Sequence, residues 1–210
     1  MDDCQFCTEF NERAPKTRII TEADGWVLLP TIGCLTPGYT LFMPLEHLDA
    51  AADFPAADLH KVEAGLETMR ALVQSHLVQS HFGPAIVAEH GPRDCERGAS
   101  CCSHVHLHII PVKDADAILT AYEEVGGPGR RLDSLADLPA AAESSYLYLS
   151  PRPGEHHYWP ADGRFQRQFV RRVVADQLDI PEQFDWRDHP FNDHRQLTFD
   201  TLTAALATGA

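Results

Sequence analysis

The sequence predicts an α+β protein with an antiparallel sheet, and three observations lead to that class. Short apolar segments come in pairs separated by turn residues, which is typical of β-hairpins. One long segment, from Phe54-Pro55 to about Val78, repeats its apolar residues at helical spacing. A second pair of strand-like segments follows that helix. The order of hairpins, helix and hairpin is that of an α+β fold rather than of an alternating β/α fold.

The first predicted strands surround two turns. Ile19-Ile20 and Trp26–Leu29 read as strands on either side of the turn Ala23-Asp24-Gly25. The turn Thr36-Pro37-Gly38 then leads into a strand over Tyr39–Met43. Both turns contain a glycine, which accepts the backbone conformations that tight turns require.

The long helix has a recognisable start and one apolar face. Asp53 is a favourable N-cap residue, and Pro55 suits the first helical turn. Residues at helical spacing form a stripe that would pack on the sheet. These residues are Leu59, Val62, Leu66, Met69, Leu72 and Val73. A short apolar strand over Ala85–Glu89 follows the helix.

The most informative segment is Ser103-His104-Val105-His106-Leu107-His108-Ile109-Ile110-Pro111. Its three histidines alternate with apolar residues, which is the period of a strand with one buried and one polar face. Imidazole titrates near neutral pH, acts as a nucleophile and binds zinc. Alternate side chains on a strand lie about 6.6 Å apart, so His104 and His108 are about 13 Å apart and cannot share one ion. The three rings must divide between at least two roles.

After residue 115 the sequence changes character. We predict a catalytic domain over 1–115 and a C-terminal α/β extension over 116–210 packed on it. The extension contains a predicted strand, Tyr146–Leu149, and two predicted helices, Phe165–Leu178 and Phe199–Leu206. The first of these helices has a basic side, which we interpret as a solvated surface. This side consists of Arg164, Arg167, Arg171 and Arg172.

Composition narrows the function classes. The chain has 210 residues and a formal net charge of −14, which argues against a nucleic-acid partner because such binding requires a basic surface. A small phosphate ester held by local donors is still compatible with this charge. No apolar run approaches the length of a bilayer span, and the start, Met1–Cys4, lacks the features of a signal peptide. We therefore expect a cytoplasmic protein that binds neither nucleic acid nor membrane.

The cysteines predict a metal site. Six cysteines in a cytoplasmic chain indicate metal binding or free thiols before disulfides. Cys4 and Cys7 have the spacing of a zinc knuckle, which needs two further ligands. His47 ends a strand and His104 begins the histidine segment, so we predict a structural zinc ion held by Cys4, Cys7, His47 and His104. Rival ligands are His90, Cys95, Cys101 and Cys102.

These stretches together resemble the histidine-triad (HIT) superfamily of nucleotide hydrolases and transferases. The resemblance covers about the first 115 residues, and the stretches occur in the order of the family. They are Cys4–Cys7, Leu35–His47, His90–Pro92, Gly98–Ser100 and His104–Pro111. The resemblance implies a HIT-like, five-stranded antiparallel sheet with a long helix, usually paired into a homodimer. It also implies that His47 and His104 are zinc ligands.

The resemblance implies roles for further residues. His106 would attack the α-phosphorus of a nucleoside phosphate derivative, such as a dinucleoside polyphosphate or a phosphoramidate, and form a nucleotidyl-histidine intermediate. A backbone carbonyl that accepts from its other ring nitrogen would hold the required tautomer. His108 would contact the phosphate and, as imidazolium, stabilise developing charge. Ser100 and Thr31 are the nearest candidates for substrate binding, although both depart from the family's usual residues.

Two other interpretations stay open. In the first, His104 and His106 chelate a catalytic zinc ion with a third ligand such as His90 or Glu89. In the second, the protein binds nucleotides without catalysis, which the altered loop Gly98–Ser103 favours. The sequence leaves open both the leaving group and the base.

Overall fold

The computed structural model describes residues 4–12, 18–77, 84–92 and 104–208. Within these ranges, eight strands form a single sheet and six α-helices surround it, which confirms the predicted α+β class. The strands are β1 (Thr21–Ala23), β2 (Trp26–Pro30), β3 (Thr40–Pro44), β4 (Ala85–Gly91), β5 (Leu107–Pro111), β6 (Arg130–Leu132), β7 (Tyr146–Ser150) and β8 (His156–Pro160). The helices are α1 (Gln5–Glu12), α2 (Ala56–Leu77), α3 (Ala115–Gly126), α4 (Leu138–Ala141), α5 (Phe169–Gln177) and α6 (Asn192–Thr208).

The sheet is larger than expected because both halves of the chain build it. Its order is β1-β2-β3-β5-β4-β7-β8-β6, and all neighbouring strands are antiparallel. The first five strands in sequence lie side by side, as predicted. The extension then adds three more, because β7 pairs along the edge of β4 that would otherwise stay open. The predicted boundary at 115/116 lies at the start of α3, directly after its first residue, and the division into two domains stays a prediction.

Each face of the sheet has its own apolar core. On one face, α2 packs over Leu107 and Ile109 of β5. On the opposite face, α3 and α5 of the extension pack over Leu41 of β3 and Ile110 of β5. Because His108 alternates with Leu107 and Ile109, its ring lies on the face that the extension covers.

The long helix α2 spans Ala56–Leu77, close to the predicted bounds, and connects the strands of both halves. Its Arg70 side chain is only 3% exposed. Its guanidinium donates to the carbonyl of Ala85 in β4 at 2.7 Å and to the hydroxyl and carbonyl of Ser150 in β7 at 3.0 and 3.2 Å. It also contacts the Glu67 carboxylate at 3.2 Å, so this buried charge has a counter-ion.

The histidine segment is less regular than the predicted strand. β5 begins only at Leu107, so His104 and His106 lie in the chain that leads into it. The Val105 N–H donates to the carbonyl of Leu48 at 2.7 Å instead of joining the ladder with β3. Pro44 ends β3 and has no N–H to offer the segment. The ladder between β3 and β5 therefore ends at Leu107, and the first two histidines of the segment lie outside it.

Three helices, α1, α3 and the four-residue α4, were not predicted. α3 is capped by Asp114, whose carboxylate accepts hydrogen bonds from the N–H groups of Asp116 and Ala117 at 2.9 and 3.1 Å. α1 has only eight residues and carries Cys7. Among the helices of the described ranges, none is long and apolar enough to cross a bilayer.

The last helix, α6, returns to the first half of the chain. The N–H of Gly38, in the turn before β3, donates to the hydroxyl of Thr198 at 2.8 Å. Thr198 is fully buried and donates in turn to the carbonyl of His194 at 2.7 Å. Gly38 has φ +92°, and a Cβ there would lie 2.8 Å from Pro111 Cγ, so only glycine fits this turn.

We expect Thr198→Val to lower the free energy of unfolding by about 2 kcal/mol, because the buried Gly38 N–H would lose its acceptor. Urea unfolding followed by circular dichroism measures this change. Thr203→Val is the matched control, since Thr203 lies exposed on the same helix. Its effect should stay within about 0.5 kcal/mol. Equal effects of the two substitutions would show that α6 is not held on the Gly38 turn.

Candidate functional site

His106 and His108 line one pocket whose walls come from distant parts of the chain. The pocket brings together three of the residues singled out in the sequence, the two rings and the Thr31 side chain, whereas Ser100 lies outside the described residues. Further walls are Phe6 and Glu9 of α1, Arg171 of α5, and Trp186.

The ring of His106 is held in one tautomer. Its Nδ1 lies 2.6 Å from the carbonyl oxygen of His104. A carbonyl only accepts, so Nδ1 carries the hydrogen and the lone pair of the neutral ring is on Nε2. Burial lowers the pKa of His106 to about 4, so the ring is neutral at physiological pH. This is the backbone-carbonyl arrangement that a histidine nucleophile requires.

His108 lies next to His106, with 4.8 Å between the ring centroids. Its Nδ1 is 2.8 Å from the Tyr39 hydroxyl, while its buried Nε2 has no hydrogen-bond partner among the described residues. Burial, with smaller contributions from His106 and His90, holds the pKa of His108 well below its usual value. The expected imidazolium is therefore not the form of this ring in the protein without ligand.

His90 extends the row of rings toward the extension. Its ring centroid lies 5.7 Å from that of His108, and its Nε2 accepts a hydrogen bond from the Val170 N–H of α5 at 3.3 Å. Burial lowers the pKa of His90 to about 3, so this ring is neutral as well. His90 thus joins the histidine face to α5 and has its Nε2 lone pair occupied.

Arg171 is a site residue that the sequence interpretation missed. The solvated surface expected for this basic helix side is wrong for Arg171, which is 3% exposed. Its Nε donates to the Phe184 carbonyl at 2.8 Å and its Nη2 to the Gly33 carbonyl at 2.7 Å. A signal was present in the sequence, because Arg171 shares a helix face with Val174 and Ala175, three and four residues later.

The four predicted zinc ligands lie together in one cluster. The ligand atoms of Cys4, Cys7, His47 and His104 are all within 4.8 Å of one another. The Nδ1 of His104 is 3.5 Å from Cys4 Sγ and 3.6 Å from Cys7 Sγ, and the Nδ1 of His47 is 3.1 Å from Cys7 Sγ. A tetrahedral zinc ion holds its sulfur and nitrogen ligands about 3.5 Å apart. The cluster fits a structural zinc ion.

The surroundings orient these ligands. His104 Nε2 donates to the Pro44 carbonyl at 2.9 Å, which leaves the Nδ1 lone pair directed at the two sulfurs. On the other histidine ligand, His47 Nε2 lies 3.6 Å from a carboxylate oxygen of Asp49. The rings of Phe6 and Phe10 pack 5.7 and 5.9 Å from the His104 ring and exclude water from it. Tautomer and orientation therefore both suit metal binding.

The rival ligands among the described residues do not join this cluster. His106 is not part of it, and its Nδ1–H is directed at the His104 carbonyl. Glu89 is bound elsewhere, by the Tyr146 hydroxyl at 2.7 Å and the Ala51 N–H at 2.8 Å. The other rival cysteines, at positions 95, 101 and 102, lie outside the described residues.

Comparison with known proteins adds similar structures but no family assignment. No protein-family model and no curated protein matches this sequence. A Hit-like protein involved in cell-cycle regulation from Bartonella henselae is 19% identical with a TM-score of 0.43, over 53% of this chain and 81% of that one. A Zn-bound histidine triad family protein from Mycobacterium smegmatis is 22% identical with a TM-score of 0.43, over 52% and 75%. A HIT family protein from Bacillus anthracis is 18% identical with the same score, over 52% and 73%.

We expect Cys7→Ser to reduce the zinc content from about one ion per chain to almost none, because three ligands no longer complete the tetrahedral set. Elemental analysis by mass spectrometry measures the metal, and a thermal melt should show a lower Tm. Cys34→Ala is the control, since Cys34 is buried away from the cluster and should leave the zinc content unchanged. Full zinc occupancy in Cys7→Ser would contradict the assignment.

Proposed function

We propose that this chain is a nucleotide hydrolase or nucleotidyl transferase that acts at the α-phosphorus of a nucleoside phosphate derivative. The supporting observation is the fixed, neutral ring of His106 in a pocket. Its Nδ1–H is bound to the His104 carbonyl at 2.6 Å, which leaves the Nε2 lone pair for attack. Dinucleoside polyphosphates and phosphoramidates both present the phosphorus that this reaction needs.

The chemistry follows from that tautomer. Nε2 of His106 forms a bond to the α-phosphorus while the bond from phosphorus to the leaving group breaks on the opposite side. The ring then gains positive charge, which strengthens its Nδ1–H···O bond to the His104 carbonyl. In the second step, water or another acceptor attacks the same phosphorus and releases the neutral ring. The leaving group takes its proton from water or from a neighbouring donor.

The metal cluster supports this pocket from outside the reaction. Four protein ligands fill a tetrahedral zinc ion, so it would neutralise the two thiolates and hold the ligands in place without an open position. Cys7 belongs to α1, which also supplies Phe6 and Glu9 to the pocket wall. His104 supplies both a ligand atom and the carbonyl that orients His106. The geometry thus favours a structural metal over the catalytic zinc alternative.

The remaining expectations accompany this proposal. We propose a small nucleotide as the partner of the pocket and a homodimer as the assembly, in a cytoplasmic protein. The non-catalytic alternative, a nucleotide-binding protein without turnover, is an outcome of the experiment that follows.

We expect His106→Ala to lower turnover of the best substrate by about 10⁴-fold, because the nucleophile is removed. The substrates are a panel of dinucleoside polyphosphates, nucleoside phosphoramidates and acyl adenylates. The wild-type protein is denatured without acid during turnover. Its intact mass should then show an increase of one nucleotidyl group. That adduct should be absent from His106→Ala.

His60→Ala is the matched control, since His60 is exposed on α2 and far from the pocket walls. It should retain the turnover and the adduct of the wild type. Equal turnover by His106→Ala would overturn the role of this ring. Nucleotide binding by the wild type with no turnover of any substrate would favour the non-catalytic alternative.

A further inference from the structure

The charges that line the pocket do not cancel. Three of its described side chains belong to charged residue types, namely Glu9, Arg18 and Arg171. Glu9 and Arg18 form a two-pronged ion pair with N···O distances of 2.9 and 2.8 Å, so these two charges neutralise each other. Among the described residues that line the pocket, the guanidinium of Arg171 is left as the unbalanced positive charge, in a chain with a net charge of −14.

The contacts of Arg171 are with neutral groups. Its Nε and Nη2 donate to the carbonyls of Phe184 and Gly33, and its Cζ lies 5.5 Å from the centroid of the Tyr39 ring. In the described part of the chain, no carboxylate oxygen lies within 4.0 Å of it. Arg70, which is buried to the same 3% exposure, does have such a partner in Glu67. The Asp185 carboxyl is close enough for its charge to interact with that of Arg171, but the two form no ion pair within 4.0 Å. A buried cation without a directly bound counter-ion is costly, and an anionic ligand in contact with it reduces that cost.

A second buried polar atom of the same pocket lacks a partner. The Nε2 of His108 makes no hydrogen bond among the described residues. Tyr39 joins it to Arg171, because the Tyr39 hydroxyl lies 2.8 Å from His108 Nδ1 while the Arg171 Cζ lies over the Tyr39 ring, 5.5 Å from its centroid. When the hydroxyl donates to Nδ1, His108 Nε2 carries the hydrogen and is a donor. This donor has no acceptor among the described residues, and it belongs to the same pocket that Arg171 lines.

The backbone beside Arg171 is shaped for its close approach. Gly33 has φ +72°, and a Cβ on it would lie 2.7 Å from Arg171 Nη2 and 2.5 Å from Trp186 Cβ. Only glycine therefore lets α5 and the segment around Trp186 come this near to the chain that follows β2. The guanidinium is fixed by this fit, which favours binding of two oxygens of one anion by a pair of its N–H groups.

We propose that Arg171 binds a phosphate group of the substrate beside His106 and His108, so that the C-terminal extension contributes a residue to the active site. The identity of the anion as a nucleotide phosphate rests on the proposed function. Arg171 then supplies the charge that the neutral ring of His108 does not. Its fork of N–H groups matches phosphate oxygens in geometry, and two of these groups are already held by carbonyls.

The direct test is binding of inorganic phosphate and of AMP at constant ionic strength, measured by isothermal titration calorimetry and by thermal melts. We expect the wild type to bind both ligands and to gain thermal stability from them. Arg171→Gln should lose this binding by about 100-fold, and Arg171→Lys by about 10-fold, because an ammonium group keeps the charge but not the fork. Arg167→Gln is the control, since it removes an equal charge at an exposed position outside the pocket.

The variants also separate binding from a purely structural role. A structural role predicts a lower Tm for Arg171→Gln without ligand but the same ligand-induced increase as in the wild type, and this result would overturn the proposal. If Arg171→Gln does not fold, Arg171→Lys decides, and phosphate affinity equal to the wild type would count against the proposal. A wild type that binds neither inorganic phosphate nor AMP would also count against the proposal.

Kinetics distinguishes this inference from the proposed function. With an active wild type, Arg171→Gln should lower kcat/KM about 100-fold while retaining the nucleotidyl adduct on His106. Unchanged kcat/KM would overturn the role of Arg171 and leave the function of His106 intact. If phosphate binding depends on Arg171 but the protein turns over no substrate, the role of Arg171 is supported and the proposed function is overturned.

Discussion

The site depends on one residue, His104, whose ring and whose backbone carbonyl each hold a different part of it. Its ring belongs to the metal cluster, where Nε2 is bound to the Pro44 carbonyl and Nδ1 faces the two sulfurs. Its backbone carbonyl accepts the Nδ1 hydrogen of His106 at 2.6 Å. Position and tautomer of the proposed nucleophile are thus set by the same residue that anchors the N-terminal helix. A shift of the metal cluster would be transmitted to His106 through a single peptide unit.

The second determinant is that the C-terminal extension packs over the face of the sheet on which the histidine rings lie. α3 and α5 bury this face of the sheet, and the rings of His90, His106 and His108 are each less than a tenth exposed. Loss of water from these rings is the main cause of their lowered pKa values, so the three are neutral together. In such surroundings a hydrogen bond or a fixed cation acts more strongly on a phosphate than it would in water.

Sequence patterns predicted what local periodicity or residue chemistry determines. The alternation around His106 and the apolar stripe of α2 each have a single physical explanation, so the sheet strand, the long helix and the zinc ligands could be predicted. Long-range contacts could not be predicted. α1 is too short to be stable by itself and is placed by the cysteines that flank its start. The burial of Arg171 depends on how α5 meets the chain near Gly33, which no pattern within α5 specifies.

The pairing of β4 with β7 restricts how two copies of this chain can associate. The two strands align over five residue pairs, from Val87–Ser150 to Gly91–Tyr146, so the backbone groups of that β4 edge are already bonded. In the described sheet, the outer strands are β1 and β6, and each has only three residues. Such short edges offer few backbone groups to a second chain. Extension of the described sheet into a second copy would therefore form few backbone hydrogen bonds.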